Sequence, residues 1–352
     1  MAVTKIADVI VPEIFSPYVQ QQTEEKSRLV QSGVMPRVAK IDEKLAGGGL
    51  TFQVPSWKPL GNVAENIVSD DETTDAVPQK TGTAQETLVR LSRHQAWSAM
   101  DLTASLAGSD PMESIASEVS TYWALRLQAA MIATMQGVFA DNAAVPSGGD
   151  THVQDDLTVD ISGVYSAGTT DFSAEAFIDA LGTLGDSEDK IVAVMMHSIV
   201  YQRAKKNNLI DFIADAANPH AEGFPMFLGK HVIVDDGMPN PSAPAPATTG
   251  AGIYHTWLLG AGAFGYGATA AEVPTEIERN ASAGSGGGQD ILHNRVVWAV
   301  HPSGHRYIGS APNGGPSNAA TAENLGHADS WSRRFPERKQ IAIARLITTE
   351  HA

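Results

Sequence analysis

Gly260, Gly262 and Gly265 stand at the spacing of a dinucleotide-binding fingerprint, directly after a strand-like apolar run. That fingerprint works where a helix opens behind it and aims its N-terminal N–H groups at the pyrophosphate. Here Tyr266 and Gly267 follow, then a few small residues and Pro274, so no helix is predicted. The glycines read instead as a turn lying close to another backbone. Gly223 to Lys230 has the outline of a phosphate loop. It carries one residue too many between its glycines, and His231 stands where a magnesium-holding Ser or Thr belongs. His301 and His305 have the spacing of paired metal ligands, but Pro302 and Gly304 deny them a shared helical face, and no acid adjoins them in the sequence. His197 ends an apolar run where a catalytic base can sit; without a nucleophile beside it, it reads as a structural histidine. Asp235 and Asp236 could hold a cation, yet a strand-to-turn acid pair is ordinarily solvated. The acids Glu65, Asp70, Asp71, Glu72 and Asp75 lack the ligand alternation and closing Glu of a calcium loop. Lys58 and Lys80 share that stretch and could meet acids of a neighbouring molecule. No catalytic, cofactor-binding or metal-binding residue is predicted.

Composition points the same way. The chain has 352 residues, 43% of them hydrophobic, which is ample for a buried core and about two domains. Cysteine is absent, which excludes disulfides and thiolate metal sites. The formal charge of -16 disfavours tight binding to a phosphate backbone, where affinity comes from clustered Lys and Arg. The N-terminal residues lack a basic start followed by an apolar stretch, so no secretory signal is expected. No apolar run is long enough to cross a membrane.

The elements follow from periodicity and punctuation. Residues 1–46 read as an extended arm interrupted by Pro12, Pro17 and Pro36, with a short helix near Gln20 to Gln31. Gly47 to Gly49 break the chain, and Leu50 to Val54 alternate like a strand. A polar, acid-rich stretch from Pro55 leads to a second strand-like run, Thr87 to Ser92, and the whole reads as a projecting hairpin. A long helix is predicted over about 110–140. Asp110 suits its N-cap, Pro111 its first position and Glu113 a capping box. Met112, Ala116, Val119, Trp123, Leu127, Ala130, Thr134 and Val138 step by three or four and define its apolar face. From about 172 the pattern becomes α/β. Helices are expected from Ser173 and Ser198, and strands at Ile191 to Met196, Lys230 to Val234, Tyr254 to Leu259, Arg295 to Val300 and Gln340 to Ile347. Residues 239–250, 281–288 and 313–318 read as loops.

The succession Asp171 to Asp186, Ile191 to Ser198, Tyr201, Asn208 to Ile213 and Gly229 to Met238 resembles the central domain of tailed-phage major capsid proteins with the Hong Kong 97-type fold. Ile10 to Phe15, the Gly262 to Phe264 turn and Arg333 to Ile341 resemble that family too, in the same order. The resemblance implies an α+β capsid fold: an N-terminal arm (1–46), an extended hairpin loop with its base strands (47–95), a peripheral domain with a spine helix (96–170), and an axial α/β domain (171–290). It further implies a strand returning to the peripheral domain (291–312) and a C-terminal part of the axial domain (313–352). It implies a structural protein and no enzyme, without a cofactor. Such a protein assembles in the host cytoplasm through hexamers and pentamers into the icosahedral head of a virion enclosing double-stranded DNA. The implied partners are copies of itself, a separate scaffolding protein, a portal, a decoration protein, and packaged DNA by weak non-specific contact; no membrane is involved. Trp57, Lys58, Glu65, Asp70, Asp71, Glu72, Lys80, Arg90 and Arg93 are the expected inter-subunit contacts. An encapsulin-like shell housing a cargo enzyme, and a nucleotide-dependent enzyme resting on the Gly260 fingerprint, stay open as alternatives at this point.

Overall fold

The computed structural model describes residues 30, 32–57, 64–68, 70, 73, 75–107, 111–146, 152–213, 224–239, 251–335 and 337–351. In chain order the elements are α1 (Ala39–Ala46), β1 (Thr51–Trp57), β2 (Thr83–Val89), β3 (Leu91–Met100), α2 (Asp101–Ala107), α3 (Pro111–Ala143) and β4 (Thr158–Asp160). Then come α4 (Ala174–Gly182), β5 (Ile191–Met196), α5 (Ser198–Lys206), β6 (Asp211–Ile213), β7 (Phe224–Phe227) and β8 (Lys230–Val234). The chain ends with β9 (Ala251–Gly260), β10 (Phe264–Thr269), β11 (Thr275–Asn280), β12 (Gln289–Pro302), β13 (His305–Tyr307), β14 (Trp331–Arg333) and β15 (Ile343–His351).

Two larger sheets carry the fold. In the first, β12 pairs antiparallel with β3 along Gln289 to Trp298, and with β11 and β10 in succession on its other side. The second has seven strands in the order β4-β15-β9-β5-β8-β7-β6, with β4/β15 and β5/β8 parallel and the other pairs antiparallel. The chain passes from one sheet to the other at the β9–β10 turn. β10 and β11 therefore belong with β3 and β12, although their sequence position lies inside the stretch read as axial. That assignment is settled by hydrogen bonding to β12, which a local pattern does not encode.

α3 is the shared wall. Its 33 residues make a rod about 50 Å long. Met112, Val119, Trp123, Leu127, Ala130, Thr134 and Val138 are all buried, on the face that the three-and-four stepping predicts. Toward the C-terminal end burial spreads round the helix: every residue from Ala130 to Met135 is buried. The cause is double coverage. α3 touches β3, β12, β14 and the turn at Ala328–Ser330, and its side chains share one core with Ala193, Met195, Trp257 and Leu259 of the seven-stranded sheet. A second core lies on the opposite side of that sheet, where Phe177 and Ala180 of α4 and Val200 and Ala204 of α5 meet Val194 and Leu258.

Polar contacts lock the rod. Trp123 Nε1 donates to Asn294 Oδ1 at 2.6 Å, and Asn294 Nδ2 donates to Thr275 Oγ1 at 2.9 Å, so α3, β12 and β11 share a buried hydrogen-bond chain. At the helix end, Asn142 Nδ2 donates to Asp156 Oδ1, and buried Arg333 grips both oxygens of Asp156 at 2.7 and 2.9 Å.

The helix from Ser173 forms with its expected cap, Ser173 Oγ accepting from Ala176 N at 3.2 Å. The next helix is capped one residue earlier than predicted: His197 Nδ1 accepts from Ile199 N at 3.2 Å. The last strand starts at Ile343 rather than Gln340, because Arg338–Gln340 form a single tight turn. The predicted segment 281–288 is a turn with Gly284 and Ser285 at positive φ. Asp110 and nearly all of the helix expected at Gln20 to Gln31 lie outside the described residues.

Replacing Trp123 by Ala should destabilise the chain by about 3–5 kcal/mol, measured by urea unfolding. Gly137 gives a sharper test. In an ordinary helix Gly to Ala stabilises by about 1 kcal/mol. Here a Cβ on Gly137 would overlap Leu325 O and lie 2.5 Å from Trp331 Nε1. Gly137→Ala should therefore destabilise by about 1–3 kcal/mol, and a stabilised variant would show that the 325–331 loop is not seated on the helix.

Candidate inter-subunit contact surface

β1 and β2 form the hairpin, paired from Thr51↔Val89 out to Trp57↔Thr83. Its root is built into the body. Phe52 and Leu88 join Ile41, Leu45, Val297 and Ala299 in a small apolar cluster of their own. Charged side chains brace the same root. Arg90 donates to Leu45 O at 3.4 Å and to Ser92 Oγ at 3.3 Å. Arg93 donates to Gly314 O at 2.8 Å and also to Pro316 O, while Ser92 N donates to Gly314 O at 3.0 Å. Burial, and then the neighbouring Arg126, hold the Arg93 guanidinium below its ordinary value. Glu86 of β2 meets His301 of β12 at 2.9 Å, with side chains only 14% and 6% exposed.

Beyond the root the character changes. Every described residue of the excursion from 64 to 82 is exposed. Ile67, Val68 and Val77 are 91%, 97% and 63% exposed, and Glu65, Asp70, Asp75 and Lys80 stand among them. Asn66 Nδ2 donates to Val77 O at 3.2 Å and ties the two limbs together. The expected contact residues thus divide. Trp57 closes the paired part of the hairpin, and Glu65, Asp70 and Lys80 lie on the exposed excursion. Arg90 and Arg93 point their guanidinium groups at carbonyls of their own subunit. Lys58, Asp71 and Glu72 lie outside the described residues.

The motifs that resemble enzyme chemistry each have a packing explanation. Gly260 ends β9, where a Cβ would lie 2.5 Å from Ala342 Cβ; Gly262 turns the chain at φ +64°; a Cβ on Gly265 would lie 2.9 Å from Ile41 Cδ1. Strand β10 begins at Phe264 and contains Gly265, so a strand and not a helix leaves the turn. Leu228 and Gly229, both at positive φ, form the two-residue turn between β7 and β8, and Lys230 is the first residue of β8. Asp235 receives Gly237 N at 2.6 Å and Gln128 Nε2, and Asp236 receives Ser198 N at 3.2 Å. His305 is buried, its Nδ1 3.1 Å from Ser303 O, and burial followed by the charge of Arg333 drives it down to about 3. Among the described residues no group of three or more His, Asp or Glu is arranged to hold a metal ion. The sequence reading missed the Glu86–His301 contact, since its partners are 215 residues apart.

No family model matches the chain. The major capsid protein of Bacillus phage SPP1 is 38% identical to it over 355 residues, covering 100% of this chain and 99% of its own. Two solved structures resemble it at 9% identity. The cyanophage Pam1 capsid asymmetric unit has a TM-score of 0.54, with 89% of this chain and 88% of that chain covered. The capsid of Ralstonia phage GP4 also has a TM-score of 0.54, with 91% and 88% covered. At that identity the two structures speak for the fold alone.

Two histidines give the chain an acid limit. Burial lowers His305 to about 3; burial and then Arg345 lower His255 to about 4; an unfolded chain titrates both near 6.5. The folded state therefore keeps them neutral while the unfolded chain takes up protons. Their stabilisation is intact above pH 6.5 and is lost as pH falls toward 4 and then 3. The loss should approach about 1.4 kcal/mol per pH unit for each group. Urea unfolding midpoints should fall between neutral pH and about pH 5, and less steeply in His305→Asn and His255→Asn. An unchanged slope in both variants would remove these histidines as the cause.

Proposed function

The chain belongs to the phage major capsid protein family, and from that premise we propose that its hairpin docks on neighbouring copies to build the capsomers of a closed head. It is a structural protein of the virion shell, it associates with copies of itself, and its fold is the α+β capsid fold of the Hong Kong 97 type. The sheet of β3, β10, β11 and β12 with α3 acts as the peripheral domain, the seven-stranded sheet with α4 and α5 as the axial domain, and residues 1–46 as an arm. Hexamers and pentamers of this unit close into an icosahedral head around double-stranded DNA. A separate scaffolding protein guides assembly, a portal occupies one vertex, and a decoration protein binds outside. The charge of -16 leaves little affinity for the packaged DNA, which suits a container.

One observation carries the docking idea: an excursion with Ile67 and Val68 almost wholly in water, rooted in a well-packed base. Covering that apolar surface on another copy gains about 25 cal/mol per Å². The adjoining Glu65, Asp70 and Lys80 supply register through charge, and Trp57, Lys58, Asp71 and Glu72 are the further contacts of this proposal. Arg90 and Arg93 brace the root from within. Each docking contact is weak, and repetition round a closed shell makes the sum strong.

Limited proteolysis tests this. Residues 55–87 should be cut first in free subunits and protected in assembled shells; equal cutting in both states would refute docking. Charge reversal by Glu65→Lys with Asp70→Lys should leave the unfolding free energy from urea titration within about 0.5 kcal/mol of the parent and reduce shell yield by electron microscopy. Normal shells from that variant would remove these acids from the interface.

A further inference from the structure

The turn beneath the hairpin root contains Asn313 followed by Gly314, a pair with chemistry of its own. A backbone nitrogen can attack the carboxamide carbon of the preceding asparagine, and glycine offers no Cβ to obstruct that approach. Asn313 is exposed, and neither its carboxamide nor Gly314 N has a hydrogen-bond partner among the described residues. Gly314 sits at φ +86° in a turn closed by Gly315 N donating to Pro312 O at 2.7 Å.

Other positions lack this combination. Asp236 also precedes a glycine, but Gly237 N is occupied by Asp235 Oδ1 at 2.6 Å. Asn280 precedes Ala281, and its Oδ1 accepts from Ser282 N at 3.2 Å and Ser282 Oγ at 2.9 Å.

We propose that Asn313 converts spontaneously to isoaspartate and aspartate, and that this conversion loosens the clamp on the hairpin root. Gly314 N forms a bond to Asn313 Cγ and gives its proton to solvent. The Cγ–Nδ2 bond breaks, and Nδ2 leaves as ammonia with a proton from water. Water then opens the cyclic imide. Attack at Cγ yields aspartate; attack at the main-chain carbonyl yields isoaspartate, with the chain rerouted through Cβ and Cγ. Water is the only co-reactant.

The location gives the change its effect. Gly314 O holds both Ser92 N and Arg93 Nη1, and Pro316 O holds the other arm of Arg93. A methylene inserted just before Gly314 displaces the first of these carbonyls. The turn has little room to adjust, since a Cβ on Gly315 would overlap Arg90 O. Either product also adds a negative charge to a loop that now offers Arg93 only neutral carbonyls.

The test is to age the purified, unassembled full-length chain at mildly alkaline pH and follow it by peptide mapping, with isoaspartyl methylation to identify the product. Asn313 should convert several-fold faster than Asn280, Asn318 or Asp236, and aged protein should be cut several-fold faster at the hairpin root, residues 88–93, than fresh protein. Asn313→Gln, with Asn313→Ser as a second variant should the first not fold, should show neither change. Conversion of Asn313 no faster than the other three would overturn the assignment. Equally faster cutting at the root in aged wild type and variant would overturn the link to the root.

Discussion

A single helix buried from two directions sets the terms for everything else in this subunit. α3 meets β3 and β12 of one sheet and shares its core with β5 and β9 of the other. A rod with one apolar stripe can satisfy one partner. This one carries an ordinary stripe in its first half and is buried all round from Ala130 to Met135. Gly137 completes the arrangement by removing a side chain where the 325–331 loop must lie. The two sheets therefore cannot rearrange independently without exposing part of one shared core.

That rigid body contrasts with what it carries. The hairpin root is held by an apolar cluster, by Arg93 on the 314–316 loop and by Glu86 on His301. Its outer part leaves Ile67 and Val68 in water. A shell protein needs this division. Its core must be the same in every copy, while its contacts must be weak enough singly to form, dissolve and form again before the shell closes. Stability sits in α3 and its sheets, and the docking we propose falls to a segment that the subunit does not itself cover.

The decoys in the sequence have a common origin. Gly260, Gly262 and Gly265 match a nucleotide fingerprint because tight turns and close backbone approach need glycine in any protein. What those glycines accommodate here is Ala342 and Ile41. His197 likewise sits where a base could act, and its ring nitrogen caps a helix. Residue type and spacing establish that a close approach or a cap exists; the following element decides whether it serves a ligand or the fold.

Local patterns were legible. The stripe from Met112 to Val138, the Ser173 cap, the strand at Ile191 to Met196 and the hairpin all follow from periods of a few residues, which short-range sterics enforce. The capsid resemblance rested on residue successions such as Ile191 to Ser198 and Gly229 to Met238, kept in order along the chain. What the sequence could not determine is which distant segments meet. Placement of β10 and β11 beside β12, the Glu86–His301 contact across 215 residues and the Arg93–Gly314 contact across 221 all depend on strand register and on where α3 is seated. Those are properties of the assembled core. No short window encodes them, because the free energy that fixes them is gained only when many separated side chains lose water together.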